Sequence, residues 1–192
     1  MKRGTRSNAP IVSSLAIASG TLRGRKVFFA DRPDLRPTPA RVREAVFSML
    51  RPYLASHGFL DICAGSGVMG FEAASIGFRP VVLTDSNPEI ILDLEENRRK
   101  LGPELRVATC SALALHLLNL EQRPWLIYAD PPFRLETFHD ELLGKLANAS
   151  FLAPGSLYVA EHEAERQFPE RFSLVKQKRY GRTRITILAI PD

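Results

Sequence analysis

A four-residue segment, Asp130-Pro131-Pro132-Phe133, combines residue types that suit chemistry on the amino group of a nucleobase. It follows the apolar run 125–129, which predicts a buried strand, and open α/β sheets bind ligands at the carboxyl ends of their strands. The Asp130 carboxylate and the Pro131 carbonyl can accept the N–H bonds of an exocyclic amine, which leaves its lone pair free to take a methyl group. Pro131 and Pro132 stiffen the turn, and Phe133 offers a face for base stacking. We therefore predict these four as the catalytic residues of a transfer to guanine, adenine or cytosine.

A second segment, residues 59–70, predicts a strand, a glycine turn and the start of a helix. Gly65 and Gly67 let the backbone pass close to a ligand, and the helix N-terminus supplies N–H donors. With Gly70 the loop also satisfies G-x-G-x-x-G, so a nicotinamide or flavin dinucleotide is an alternative. Asp61 favours S-adenosyl-L-methionine (SAM), because an acid beside the loop suits a cationic amino-acid group better than a pyrophosphate. The predicted cofactor-binding residues of this loop are Asp61, Ala64, Gly65, Ser66 and Gly67.

Two further predicted strands end in polar residues that suit the rest of such a cofactor. Residues 81–85 end in Asp85, whose carboxylate is predicted to accept both hydroxyls of a ribose, and Ser86 follows it in the same site. Asp85 can also cap the next helix, and the two roles are compatible. Ser111 follows residues 105–109, where it either accepts a hydrogen bond from the adenine amino group or only caps a helix.

Charge is distributed unevenly along the 192 residues, whose formal net charge is +5. Residues 1–52 contain eleven Lys and Arg and three acids, whereas residues 61–165 contain eight Lys and Arg and sixteen acids. Residues 176–184 add five Lys and Arg and no acid. Basic ends around an acidic middle predict that the ends hold a polyanion while the middle binds another ligand. For residues 1–9 a merely solvated leader is the alternative.

The elements that must position these groups alternate between strand and helix. We predict strands at 59–63, 80–84, 105–109, 125–129 and 156–160, and helices at 68–76, 88–101, 112–120 and 135–147. Short apolar strands with little alternation indicate a parallel sheet covered by helices on both faces. Residues 173–179 and 184–190 predict an antiparallel pair. The fold class is therefore α/β, doubly wound, with an antiparallel finish.

A basic appendage precedes this domain. Residues 15–17 and 26–29 predict a hairpin, with Arg23, Arg25 and Lys26 near its tip.

A helix follows the hairpin. Thr38 is predicted to cap it, with Pro39 as its first residue and with Arg41 and Arg43 on its surface. We divide the chain into residues 1–52, the basic hairpin and helix appendage, and residues 53–192, the SAM-binding catalytic domain.

Composition narrows the class of protein. Cys63 and Cys110 have no CxxC partner and the four His are scattered, so we expect reduced thiols and no metal site. No stretch approaches the roughly 20 apolar residues of a membrane span, and no apolar run follows the basic start. We expect a cytoplasmic protein without a membrane contact and, by default, a monomer.

With these segments in place, the chain resembles the RsmD family, bacterial methyltransferases that modify a guanine N2 in 16S ribosomal RNA. The resemblance runs from about residue 17 to residue 188. Its most specific segments are Gly20–Lys26, Leu35–Phe47, Leu60–Ala73, Asp130–Phe133 and Tyr180–Thr183.

The resemblance implies a class I SAM-dependent methyltransferase fold, Rossmann-like, with a seven-stranded, mostly parallel sheet. It implies that 16S rRNA, free or in the assembling 30S subunit, is the partner, and that the N-terminal hairpin grips it. Arg36, Thr38 and Arg41 would then lie near the methionine end of the cofactor or near the RNA. The predicted RNA-binding residues are Arg23, Arg25, Lys26, Arg41, Arg43, Tyr180 and Arg182.

Other functions stay open at the level of sequence. Asp-Pro-Pro followed by an aromatic residue also serves DNA adenine and cytosine amines, although the chain lacks room for a large target-recognition domain. A non-catalytic RNA-binding assembly factor and a nicotinamide-linked oxidoreductase are further alternatives. The basic ends and Asp130–Phe133 have no role in hydride transfer, which disfavours the last of these.

Overall fold

The computed structural model describes residues 12–33, 35–131, 137–163 and 165–191. Its strands are β1 (Val12–Ala16), β2 (Lys26–Ala30), β3 (Gly58–Ile62), β4 (Val81–Asp85), β5 (Arg106–Thr109), β6 (Trp125–Ala129), β7 (Leu157–His162), β8 (Ser173–Tyr180) and β9 (Thr183–Ala189). Its α-helices are α1 (Ala40–Leu50), α2 (Val68–Ile76), α3 (Pro88–Leu101) and α4 (Phe138–Leu146), and Arg51–Tyr53 and Ala112–Leu118 form 3-10 helices. None of the described helices has the length and apolar character needed to cross a bilayer.

Seven strands form one sheet in the order β5-β4-β3-β6-β7-β9-β8. The first five of these pair in parallel, and β9 runs antiparallel to both β7 and β8, as the sequence predicts. Every residue of β3, β4, β6 and β7 is buried, because apolar layers cover both faces of the parallel part. The chain winds from β3 to one edge and returns to β6 on the other side. A crevice is expected at such a reversal of strand order.

Most predicted elements appear within two residues of their expected bounds, and α2, α3 and β6 match residue for residue. The helix predicted at 112–120 is a 3-10 helix, Ala112–Leu118, with non-helical angles at Ala114. Of the helix predicted at 135–147, residues 135 and 136 lie outside the described ranges, and α4 begins at Phe138.

Thr38 does not cap α1, so that prediction is wrong. The N-cap position belongs to Pro39, and no side chain caps the helix. The Thr38 hydroxyl instead bonds to residues of the sheet.

The N-terminal hairpin is a separate two-stranded sheet, β1-β2. Side chains of α3 hold it in place by bonding to backbone groups of β2, as a third strand would. Asn97 Oδ1 accepts from the Phe28 amide at 2.9 Å, and Asn97 Nδ2 donates to the Phe28 carbonyl at 2.6 Å. Asp93 accepts from the Ala30 amide at 3.1 Å. These bonds satisfy backbone groups on the open edge of β2 and fix its position.

The turn of the hairpin rests on the last residues of α2. The Thr21 amide donates to the Ser75 carbonyl and the Leu22 amide to the Ser75 hydroxyl, each at 2.9 Å. Gly20 has φ +80°, and a Cβ there would lie 2.1 Å from the Ser75 carbonyl oxygen. Only glycine fits this approach.

Arg43 joins the hairpin, α1 and α2 from inside the protein. Its guanidinium donates to Glu72 Oε1 at 2.9 Å and to the carbonyls of Thr38 and Ala16 at 2.8 Å each. The ion pair is buried, with the two side chains 2% and 0% exposed. The prediction that Arg43 contacts RNA is therefore wrong, because its N–H groups are used within the fold.

One apolar core runs through the hairpin, α1 and the sheet. Ile17 of the hairpin region, Val46 and Leu50 of α1, and Phe59 and Leu83 of the sheet belong to the same buried cluster. The boundary predicted between residues 52 and 53 falls inside a 3-10 helix, Arg51–Tyr53. Residues 1–52, as far as they are described, thus share a core with the sheet.

Replacing Arg43 with Met is expected to lower the free energy of unfolding by about 3–5 kcal/mol, because Glu72 keeps a buried charge without its cation. Urea denaturation followed by circular dichroism measures this loss. Arg41→Met, at an exposed position of the same helix, is the matched control and should cost far less. Similar losses for the two variants would contradict the buried role of the ion pair.

Candidate functional site

A cavity of about 700 Å³ opens at the carboxyl ends of β3, β4 and β6. Its volume is that of a typical pocket for a small ligand. The predicted residues that line it are Arg36, Thr38, Asp61, Ala64, Gly65, Ser66, Asp85, Ser86, Ser111, Asp130 and Pro131. Pro132 and Phe133 lie outside the described residues. The fold thus brings together side chains that lie up to 95 positions apart in the sequence.

Gly67 is a correction to the predicted set, because it does not line the cavity. It occupies the N-cap of α2 with φ +76°. A Cβ there would lie 2.3 Å from Leu94 Cδ2, inside the core. Gly67 therefore allows the turn and the packing of α2, while Gly65 lies at the cavity wall.

Asp85 ends β4 with both carboxylate oxygens held by the backbone. Oδ2 accepts from the Gly65 amide at 3.1 Å, and Oδ1 accepts from the Asn87 amide at 2.9 Å. Asn87 itself caps α3 through the Glu89 amide. The Asp85 carboxylate is therefore fixed at the cavity wall, with lone pairs left for a ligand hydroxyl.

Asp61 lies at the end of β3 and is 2% exposed. Its carboxylate accepts a hydrogen bond from the Gly70 amide at 3.1 Å. Burial, opposed by that bond and reinforced by the charges of Asp85 and Glu161, raises the pKa of Asp61 to about 8. A positively charged group in the cavity would favour the ionised form and so be bound more tightly.

Asp130 follows β6 and is half-buried. Burial raises its pKa well above the usual value, and the charges of Glu161, Asp61 and Glu163 raise it further. Burial and these charges therefore favour the protonated form of Asp130 more than in an exposed carboxyl group.

Glu161, which the sequence reasoning missed, adjoins the site: it does not itself line the cavity, but Thr38 and Tyr128, which do, both bond to it. It lies in β7 and is 7% exposed. The Tyr128 hydroxyl donates to Glu161 Oε2, and the Thr38 hydroxyl donates to the same oxygen at 3.2 Å. The sequence could have indicated Glu161, because it directly follows the predicted strand 156–160, just as Asp130 directly follows the predicted strand 125–129.

Apolar residues form the wall near Ser111. Ile90, Cys110 and Leu113 line the cavity there, and none of them was predicted. Ser111 is the N-cap of the 3-10 helix, and its hydroxyl accepts from the Leu113 amide at 3.4 Å. The capping role is confirmed, whereas a contact with adenine stays a prediction.

The predicted RNA-binding residues lie at two places on the surface. Arg23, Lys26 and Arg41 are exposed in the hairpin and α1. Arg25 is also exposed, but its guanidinium donates to the carbonyls of Lys100 and Leu101 at the end of α3.

The second place is the turn between β8 and β9. Arg182 is exposed there and Tyr180 is half-buried. Strand β8 is exposed along Ser173–Arg179, which includes Lys176 and Lys178. RNA contact at both places stays a prediction.

Cys63 and Cys110 are free thiols. Among the side chains that the structure describes, no three or more His, Cys, Asp or Glu are grouped to hold a metal ion.

The family model described as Conserved hypothetical protein 95 matches residues 15–189. The chain belongs to this family, the RsmD family. One relative, the ribosomal RNA small subunit methyltransferase D of Escherichia coli strain K12, is 33% identical over 172 residues, covering 87% of this chain and 85% of the relative. The enzyme of the same name from Buchnera aphidicola subsp. Acyrthosiphon pisum is 31% identical over 170 residues, covering 86% and 88%.

Solved structures agree with this RsmD membership. The putative methyltransferase yhhF from Escherichia coli is similar with a TM-score of 0.78 and 30% identity, over 93% of this chain and 99% of that one. The rRNA methyltransferase aviRa from Streptomyces viridochromogenes has a TM-score of 0.60 at 16% identity, over 83% and 88%, and so shows the fold alone. The fold is that of the class I, Rossmann-like methyltransferases, as predicted.

The Asp61→Asn variant is expected to gain stability over the wild type as pH rises from about 4 to about 8. The folded protein holds the Asp61 proton up to a pKa of about 8, while the unfolded chain loses it near 3.8. The free energy of unfolding of the wild type therefore falls as pH rises through that interval, because only the unfolded chain loses this proton there. Above it both states are ionised, and the difference no longer changes.

Urea midpoints of the two proteins between pH 4 and pH 9 measure this difference. Asp31→Asn, at an exposed position, controls for the loss of one carboxylate. A stability difference that does not change with pH would show that Asp61 ionises normally in the folded protein.

Proposed function

We propose that the protein transfers a methyl group from SAM to the exocyclic N2 amine of a guanine in small-subunit (16S) ribosomal RNA. The observation that carries the proposal is the position of Asp130 and Pro131 on the wall of the cavity that Asp61 and Asp85 also line. An acceptor pair for an amine therefore adjoins a fixed, acidic ligand cavity. The names of the relatives, ribosomal RNA small subunit methyltransferase D, support RNA as the substrate.

The cavity suits SAM in size, charge and polarity. SAM, when bound, supplies a methyl group on a positively charged sulfur. We assign Asp85 to the ribose hydroxyls and Asp61 to the amino-acid end, where a cationic group would favour the ionised form of this buried carboxyl. Ile90 and Leu113 would flank the adenine, and Ser111 would accept from its amino group.

The segment 35–38 supports the same assignment. Leu35, Arg36, Pro37 and Thr38 all line the cavity. We assign Arg36 and Thr38 to the methionine end, which lies toward Asp61. A dinucleotide fits less well, because its pyrophosphate would meet the Asp61 carboxyl.

The chain's own groups prepare the amine for transfer. The Asp130 carboxylate and the Pro131 carbonyl accept its two N–H bonds, so that the nitrogen lone pair is less delocalised into the ring and can face the methyl group. Once methylated, the nitrogen is strongly acidic, and Asp130 or water takes the proton. Asp130 suits that role because burial and nearby carboxylates raise its pKa. Positioning accounts for the catalysis, and the reaction needs no covalent enzyme intermediate.

Tritiated SAM tests the proposal with three substrates: deproteinised 16S rRNA, assembling 30S particles and duplex DNA. We expect label in rRNA, naked or assembled, and mass spectrometry of its nucleosides should identify N2-methylguanosine. Label only in DNA would replace rRNA with a DNA amine as substrate. SAM binding without any transfer would instead indicate a non-catalytic assembly factor.

Asp130→Ala is expected to abolish methyl transfer, because the amine loses a carboxylate acceptor. SAM affinity, measured by calorimetry, should stay within about tenfold, since Asp61 and Asp85 are unchanged. The matched control is Asp140→Ala, which removes an exposed carboxylate of α4. Wild-type turnover in Asp130→Ala would refute the catalytic role.

Binding of rRNA should weaken steeply with salt, because contacts between Lys or Arg and phosphate release counterions. Arg23→Ala should lower the slope of log K against log salt by about 1, as expected for one lost phosphate contact. Fluorescence anisotropy at several salt concentrations measures the slope. Arg98→Ala, at an exposed position on α3, is the control, and an equal effect there would show that the hairpin has no special part in binding.

A further inference from the structure

Strand register places a second carboxyl beside Asp130. Residues Ala129 and Ala160 are paired in the parallel strands β6 and β7, so Asp130 and Glu161 are the next neighbours across the sheet. Adjacent strands lie about 4.8 Å apart. Side chains alternate along a strand, so both residues lie on the face to which Tyr128 and Val159 contribute core side chains. The register therefore places the two residues next to each other at the carboxyl edge of the sheet, close enough for the charge of Glu161 to raise the pKa of Asp130.

The Glu161 carboxyl is held in one position. The hydroxyls of Tyr128 and Thr38 both bond to Oε2, and these two hydroxyls lie 3.2 Å from each other. The Thr38 carbonyl is in turn fixed by Arg43 at 2.8 Å. The other carboxyl oxygen, Oε1, takes no part in these bonds.

Among the salt bridges of the described residues, none involves Asp61, Asp130 or Glu161. Burial raises the pKa of Glu161 as well, because removing the ionised carboxylate from water costs free energy. Buried acids outside these salt bridges suit a ligand that brings hydrogen-bond donors or positive charge.

The three candidate bases differ at the ring nitrogen beside the amine. In guanine this nitrogen, N1, carries a hydrogen and is a donor. In adenine and cytosine the corresponding nitrogen has a lone pair and is an acceptor. A carboxylate opposite that position therefore favours guanine and opposes the other two bases.

We propose that Glu161 is a specificity-determining residue that accepts the N1–H of the target guanine while Asp130 and Pro131 accept its N2 amine. The inference rests on the proposed function and extends it to the choice of base. Because Glu161 is 7% exposed, a base without the N1–H would leave a buried carboxyl unpaired. A buried polar group left unpaired is the strongest means by which a site rejects an analogue.

The test replaces the target guanosine, once mapped by the rRNA assay, with 2-aminopurine in otherwise identical RNA. This analogue keeps the N2 amine but has an acceptor at N1. The wild type should prefer guanosine by about 10- to 100-fold in kcat/KM, the discrimination expected of one good base contact. In Glu161→Gln the preference should fall to within about threefold, because an amide can accept from one N1 and donate to the other. The analogue also lacks O6, but this loss is the same for both enzymes.

Glu163→Gln is the matched control, since Glu163 is half-buried, follows β7 and also raises the pKa of Asp130. It should keep the wild-type preference for guanosine. Calorimetry with SAM and the urea midpoint establish that Glu161→Gln is folded. Tyr128→Phe, which removes one bond to Glu161 but keeps its carboxyl, should retain most of the preference.

Three results would overturn the inference: a wild type that methylates both bases equally, an unchanged preference in Glu161→Gln, or a preference lost only in Glu163→Gln. The second would mean that Asp130 alone accepts both N1–H and N2–H. Failure of the proposed function looks different, because the wild type would then transfer no methyl group to guanosine at all.

Discussion

The buried ion pair between Arg43 and Glu72 joins the N-terminal segment to α2, and the arrangement of the site depends on it. Arg43 donates to the Thr38 and Ala16 carbonyls as well as to Glu72, so one guanidinium connects the hairpin, α1 and α2. Thr38 lies between this pair and the cavity, and its hydroxyl bonds to Glu161. A continuous set of hydrogen bonds therefore runs from the core of the N-terminal segment to the residues beside Asp130. Desolvation makes such a buried pair costly to form, and its role here is to fix the positions of the groups that it joins.

The ends of the parallel strands gather acids that would repel one another in an empty site. Asp61, Asp85 and Asp130 follow or end three strands, and Glu161 lies near the end of a fourth. Burial raises the pKa of Asp61, of Asp130 and of Glu161. The folded protein thus gives up stability at the edge where it binds ligands. A cationic cofactor and a base with several hydrogen-bond donors would both reduce that repulsion. The stability lost in the empty site would then contribute to the affinity for these ligands.

The surface outside the cavity has the opposite charge in two places. Arg23, Lys26 and Arg41 lie on the hairpin and α1, while Arg182 lies at the turn between β8 and β9. The hairpin is not a loose extension, because Asn97, Asp93 and Ser75 fix it to α2 and α3. A fixed basic surface together with an acidic cavity suits a long polyanion that presents one base to the cavity.

The sequence by itself determined the fold class, the family resemblance and most of the cavity wall. Apolar runs of five residues and helix-length segments identify the alternating elements, and glycine and acid at the strand ends identify the loop. These are local signals, and Asp61, Asp85 and Asp130 lie where strand ends must lie in a parallel sheet.

Only the tertiary structure decided what each cation and each remaining polar group does. Arg41 and Arg43 are two positions apart with the same chemistry, yet one is exposed and the other is buried against Glu72. The sequence predicts Thr38 as a helix cap, but its hydroxyl bonds to Glu161. It predicts Gly67 as a ligand contact, but Gly67 packs against Leu94. Glu161 gains its place beside Asp130 from the register of β6 and β7. In each case the partner lies 27 or more residues away, and a local pattern carries no information about a contact that packing creates.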